Sequence, residues 1–170
     1  MKPMFVLRIA CVGRLTVRKL QEGDEERLLE FYKSLSDETL HFYHPYPTFN
    51  PETIRKAVQR TITGEDLGLI AVDDKEQVIA HVFLSGIAND VASFGIGVRD
   101  DFQGRGIGNE LMKLIIRLAK HELRKKGIRL TVLKENKRAF HLYRKYGFEI
   151  CGECTNWSEN DSYKMQLTFG

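Results

Sequence analysis

Gln103-Gly104-Arg105-Gly106-Ile107-Gly108 puts three glycines within five residues, directly ahead of a segment with helical apolar spacing. Glycine lets a backbone approach a ligand closely, because no Cβ intervenes. A helix that starts there adds unpaired N–H groups and the positive end of its macrodipole. Loop and helix start together make a seat for phosphate. Two phosphate patterns fail at this place. A nucleotide-hydrolysing loop needs Lys followed by Ser or Thr after its glycines, and neither pair follows. A dinucleotide fingerprint counted from Gly104 needs glycine at position 109, which is Asn, and no Asp stands about 20 residues on; Glu122 lies nearest, inside the long helix. The pattern Gln-x-x-Gly-x-Gly is met in full by Gln103, Gly106 and Gly108.

Such a loop works only if strands and helices hold it. Met4 to Val12 and Arg14 to Leu20 read as strands, and Asp24 as the cap of a helix reaching about Leu35. An aromatic stretch, His41 to Pro47, follows as an ordered loop, either a lid or a plug for the end of the sheet. Asn50-Pro51 opens a helix to about Thr63. Leu67 to Val72 and Val78 to Ile87 form a hairpin, and Ala92 to Val98 a strand thinned by Gly95 and Gly97. The long helix from Ile107 runs to a Lys125-Lys126-Gly127 stop. Ile128 to Leu133 is a strand, Asn136 caps a helix ended by Gly147, and two strands, Phe148 to Cys154 and Ser162 to Phe169, close the chain. The fold class expected is α/β, a mixed and mostly antiparallel central sheet flanked by helices, with residues 1–170 as a single domain.

The loop, with Val98-Arg99-Asp100-Asp101-Phe102 before it, resembles the GNAT superfamily of N-acetyltransferases. Asn136, Ala139, Tyr143 and Gly147-Phe148 resemble that family's second motif, so the strong likeness covers about residues 92–148. The resemblance implies acetyl coenzyme A as donor. Its pyrophosphate would lie on the amides of Gln103, Gly104, Arg105, Gly106, Ile107 and Gly108, with Asn109 beginning the helix beneath. Its pantetheine arm would pair with the strand at Ile96 and Val98, and would meet Asn136. An N–H near Val98 would polarise the thioester carbonyl. Tyr143 would be the acid that meets the departing thiolate. On spacing alone Tyr143 reads first as a core aromatic, and Asn136 equally as a helix cap.

No base is assigned. His81, Asp90, His41, His44 and Glu153 are options without a deciding feature, and the strand from Ala92 to Val98 holds no carboxylate. The expected reaction is transfer of acetyl to a primary amine of a small molecule or protein, by direct attack in a ternary complex. The absence of cysteine from both motifs argues against an acetyl-enzyme. A non-catalytic coenzyme A sensor or regulatory module is the alternative, and a nucleotide-binding module a third reading.

Composition agrees with a soluble globular protein, 42% hydrophobic and 29% charged. A net charge of +3 with scattered cations does not point to nucleic acid, and the N-terminal apolar run, broken by Arg8, is too short to span a bilayer. Cys151-Gly152-Glu153-Cys154 lacks the second pair a zinc site wants, so no metal is expected, and Cys11, Cys151 and Cys154 read as reduced cytoplasmic cysteines. Homodimers are common in the family, but no face is singled out.

Overall fold

The computed structural model describes residues 4–10, 12–156 and 159–170; Cys11 and the residues before Met4 lie outside them. Eight strands form one sheet: β1 (Met4–Ile9), β2 (Gly13–Lys19), β3 (Asp66–Val72), β4 (Val78–Ser85), β5 (Val91–Val98), β6 (Gly127–Leu133), β7 (Glu149–Thr155) and β8 (Asp161–Thr168). Their spatial order is β1-β2-β3-β4-β5-β6-β8-β7. Every neighbouring pair is antiparallel except β5 and β6, which run parallel. The helices are α1 (Glu25–Ser34), α2 (Asp37–Phe42), α3 (Pro51–Ile62), α4 (Ile107–Arg117) and α5 (Lys137–Lys145).

Strand alternation divides the apolar residues between two cores. On one face Ala92, Phe94, Ile128, Leu130 and Met165 meet Ile107, Leu111 and Ile115 of α4, with Ala139 and Tyr143 of α5 beside them. On the other, Leu28, Phe31 and Tyr32 of α1 and Ile54 and Val58 of α3 cover Ile70, Val72 and Val78. The lone parallel pair needs a crossover, and α4 supplies it.

Three local expectations are corrected. Asp24 precedes α1 but its carboxylate caps nothing. It is fully buried, takes two bonds from the Arg18 guanidinium at 2.6 and 2.9 Å, and accepts from the Gln21 N–H at 2.9 Å. A buried charge pairs with the strongest available donor, and here that is Arg18. Residues 37–42, read as part of the loop after a helix ending near Leu35, form α2, whose cap is the Ser36 hydroxyl accepting from the Thr39 N–H at 3.1 Å. The helix from Ile107 ends earlier than its Lys-Lys-Gly sequence indicates. It widens into a π-turn over Leu118–Glu122, and Arg124 takes the left-handed conformation with φ 53°. Gly127 instead opens β6, where a Cβ would stand 2.6 Å from the Leu167 carbonyl oxygen.

Candidate active site

One cleft of about 1480 Å³ is lined by Ile96, Val98, Gln103, Gly104, Gly106, Ile107, Gly108, Asn109, Asn136 and Tyr143. Of the residues expected at the site, Arg105 alone is not part of this lining; its guanidinium lies over the Phe102 ring at 5.5 Å. Gly104 and Gly106 have φ of 73° and 90°, a backbone region that glycine enters without strain. This winding leaves the amides of Gly104, Gly106, Ile107, Gly108 and Asn109 with no acceptor among the described residues. The first intrahelical bond here runs from the Glu110 N–H to the Gly106 carbonyl. Free donors on a left-handed turn at a helix N-terminus make an anion-binding concavity. Arg138 of α5 reaches the same loop, with a guanidinium nitrogen 3.6 Å from where a Gly104 Cβ would stand.

The cleft opens because β5 and β6 part. They pair only at Val91–Gly127, Ala92–Ile128 and Ser93–Arg129, and no pairing follows. Which β5 groups face the gap follows from two bonds. The Arg99 N–H donates to the Ile79 carbonyl at 2.8 Å, so odd-numbered backbone groups point toward β4. The Val98 carbonyl instead accepts from the Gln103 side chain at 2.9 Å, on the far side. Both backbone groups of a strand residue point the same way, so the N–H groups of Ile96 and Val98 face the gap.

Opposite them, Tyr143 stands half-buried on α5, edge-on to Phe94 at 6.2 Å and beside Phe148 at 5.8 Å. Its hydroxyl has no hydrogen-bond partner among the described residues, and burial pushes its pKa up to about 12. The phenol therefore stays protonated across the physiological range. Asn136 does cap α5, accepting from the Ala139 N–H at 3.2 Å, and it faces the cleft as well. Asn109 turns its side chain away to accept from the Tyr146 hydroxyl at 2.6 Å, which leaves only its N–H for the loop.

The aromatic segment after α2 is a plug more than a lid. The Tyr43 ring lies on the backbone of Gly97 and the Phe83 ring on that of Gly95, where any Cβ would collide with them. Tyr43, Tyr32 and His81 are linked through Tyr hydroxyls and Nδ1 by two bonds of 2.7 Å. His81 is buried, and burial lowers its pKa to about 3, so it is held neutral. The other base options are engaged elsewhere. His41 is bonded to Glu135 across the cleft mouth, Asp90 to Lys126 at 2.7 Å, Glu153 to Lys134 at 2.9 Å, and His44 to the Leu40 carbonyl.

Sequence reading missed Thr39, which takes a bond from the Gln103 side chain at 3.1 Å; Phe42 and Tyr43, inside the expected aromatic stretch, line the cleft. It also missed Arg129, Thr131, Lys164 and Gln166 on the opposite wall. For Arg129 and Thr131 a signal existed, the alternation with Ile128, Leu130 and Val132 along β6.

Comparison with known proteins meets this geometry. The profile of the Acetyltransferase (GNAT) domain matches residues 14–149. The chain is 27% identical over 148 residues to the L-amino acid N-acetyltransferase AaaT of Escherichia coli K12, covering 83% of this chain and 86% of that protein. It is 37% identical over 90 residues to the spermidine N(1)-acetyltransferase of the same organism, covering 53% of this chain and 43% of that protein. The GNAT domain of S. lividans PAT superposes with a TM-score of 0.80 at 21% identity, over 98% of this chain and 97% of that one. The chain belongs to the GNAT acetyltransferases, and the fold and the enzyme class, an N-acetyltransferase, follow from that membership. Among the described residues no cluster of three or more metal-ligating side chains occurs, and no helix is long and apolar enough to cross a membrane.

Proposed function

We propose that residues 1–170 act as one domain that moves an acetyl group from acetyl coenzyme A to a primary amine by direct attack within a ternary complex. The observation that carries this reading is the set of N–H groups of Gly104, Gly106, Ile107, Gly108 and Asn109 with no acceptor among the described residues, set at the mouth of the gap between β5 and β6. A pyrophosphate is multiply charged, and bonds from fixed amides to it are about twice as strong as neutral ones. Ile96 and Val98 offer their N–H groups to an extended arm, as one strand would to another. The Val98 N–H then serves the oxygen that gains charge when the amine attacks. The Tyr143 hydroxyl, unbonded and protonated, faces the sulfur that leaves.

The amine must attack without its proton. A lysine side chain titrates near 10.4 and a peptide α-amine near 8, so most of either is protonated at pH 7. None of the titratable groups considered as a base points freely into the gap, and the proton leaves through the open cleft. Relatives named for L-amino acids and for spermidine both present primary amines, which supports the acceptor chemistry.

Isothermal titration with acetyl coenzyme A tests the donor: no binding at millimolar ligand rejects the proposal. A sensor that binds without transfer is separated by an amine panel read through thiol release. Coenzyme A that appears only when an acceptor is present identifies the enzyme.

A further inference from the structure

The cleft has two unlike walls. Phe42, Tyr43 and Phe83 form one, on the α2 side. The other is the uncovered face of β6 and β8. Ile128, Leu130 and Val132 are buried beneath α4 and α5, so alternation turns Arg129 and Thr131 to the opposite face. The register sets Gln166 against Arg129 and Lys164 against Thr131, which gathers the four into one patch. The core beneath α1 and α3 draws its strand residues from β3 and β4, and so leaves this patch open.

Neither cation has a carboxylate partner among the described residues. Arg129 donates to the Ser93 hydroxyl at 3.2 Å, and the Lys164 side chain has no hydrogen bond or ion pair among the described residues. Of the nearby carboxylates, all but Glu38 are engaged elsewhere or stand outside the cleft. Glu135 is bonded to His41, and Asp100 takes the Ser36 N–H. Glu38 lies on α2, along the other wall. Glu149 stands opposite Gln166 on β7 but does not line the cleft. Ser93 and Arg129 are also the last paired residues before β5 and β6 part, so the charge sits where the gap begins.

Resting on the acetyl-transfer reading above, we infer that the acceptor is a primary amine carrying a carboxylate, an amino acid in class, whose anion is held by Arg129 and Lys164. Its apolar part lies against Phe42 and Phe83 while its amine enters the gap. Two uncompensated positive side chains repel a polycationic acceptor and give a carboxylate charge-assisted bonds.

Matched acceptors test this: L-phenylalanine against phenethylamine, and L-lysine against cadaverine, each assayed by release of coenzyme A. The wild-type protein is expected to favour the carboxylated member at least tenfold in kcat/KM. In the Arg129→Gln/Lys164→Gln double variant that ratio collapses through a rise in KM for the carboxylated member, with thermal melts confirming the fold. Equal or better use of the decarboxylated member by the wild type overturns the inference and leaves acetyl transfer standing. So does a preference that survives in the double variant. Acetyl coenzyme A that binds without release from either pair overturns the transfer reading itself.

Discussion

Removing one oxygen atom, in Tyr143→Phe, tests the chemistry most sharply. The wild-type hydroxyl is protonated, has no partner among the described residues, and has a pKa raised to about 12 by burial. A thiol titrates near 8.5, so outright proton transfer from this phenol to a thiolate is uphill by about 3.5 units, or about 5 kcal/mol. In the proposed mechanism Tyr143 donates a hydrogen bond to the sulfur as charge develops, with the proton following later. A hydrogen bond to a charged group stabilises by about 1.5–3 kcal/mol, so its loss should lower kcat about 10- to 150-fold. Donor affinity should hold, because backbone amides carry the grip. Stability should hold too, because no bonded partner is orphaned. Steady-state kinetics from pH 6 to 9, with titration calorimetry for acetyl coenzyme A, measures both quantities. The raised pKa keeps the phenol protonated throughout that range, so the deficit should not vary with pH. A fall in kcat under threefold, or a loss of donor affinity as large as the loss of rate, refutes the assignment.

Further outcomes follow from single features. Gly106→Ala meets no steric obstacle but must hold φ at 90°, which costs about 1–2 kcal/mol, and should weaken acetyl coenzyme A binding in calorimetry. Gly97→Ala drives a Cβ into the Tyr43 ring and should lower stability by about 1–3 kcal/mol in urea melts. Asp24→Asn leaves the largely buried Arg18 guanidinium with a 3.6 Å contact to Glu76 and a bond to the Lys19 carbonyl at 3.2 Å, and should cost about 3 kcal/mol by the same melts. His81 titrates near 3 in the folded chain and near 6.5 unfolded, so the unfolded chain binds the extra proton between those values. Stability then rises with pH across that window, and acidification from 6.5 to 5 should remove about 2 kcal/mol, a loss absent in His81→Gln. Asp24, whose burial is outweighed by its bonds from Arg18 and Gln21 so that its pKa falls below 3.8, contributes only to losses at lower pH.

Local signals carried through where one short stretch decides the outcome. Gly104 and Gly106 needed left-handed backbone, Asn50 and Asn136 became caps, and the amides of Gly104, Gly106, Ile107, Gly108 and Asn109 have no acceptor among the described residues, whereas the Gln103 N–H, also expected to be free, is bonded to the Asp100 carbonyl. Asp24 and Gly127 misled because each fits a local rule while a distant partner wins: Arg18 for one, strand pairing with Thr168 of β8 for the other. The parting of β5 from β6 is a matter of long-range pairing, which no residue in either strand announces. The bond between Tyr32 and His81 joins residues 49 apart, and the Arg129–Lys164 patch exists only through register. That the strand from Ala92 to Val98 contains no carboxylate was legible from the start.

A sheet that separates in its middle owns two edges more than its outline shows. Ile96 and Val98 sit four strands inward, yet their amides should exchange with deuterium as quickly as those of an outermost strand. They should slow sharply once an extended guest lies alongside. An edge of this kind is indifferent to what extended backbone it accepts, so a short peptide of β-forming residues should compete with the coenzyme for the same place.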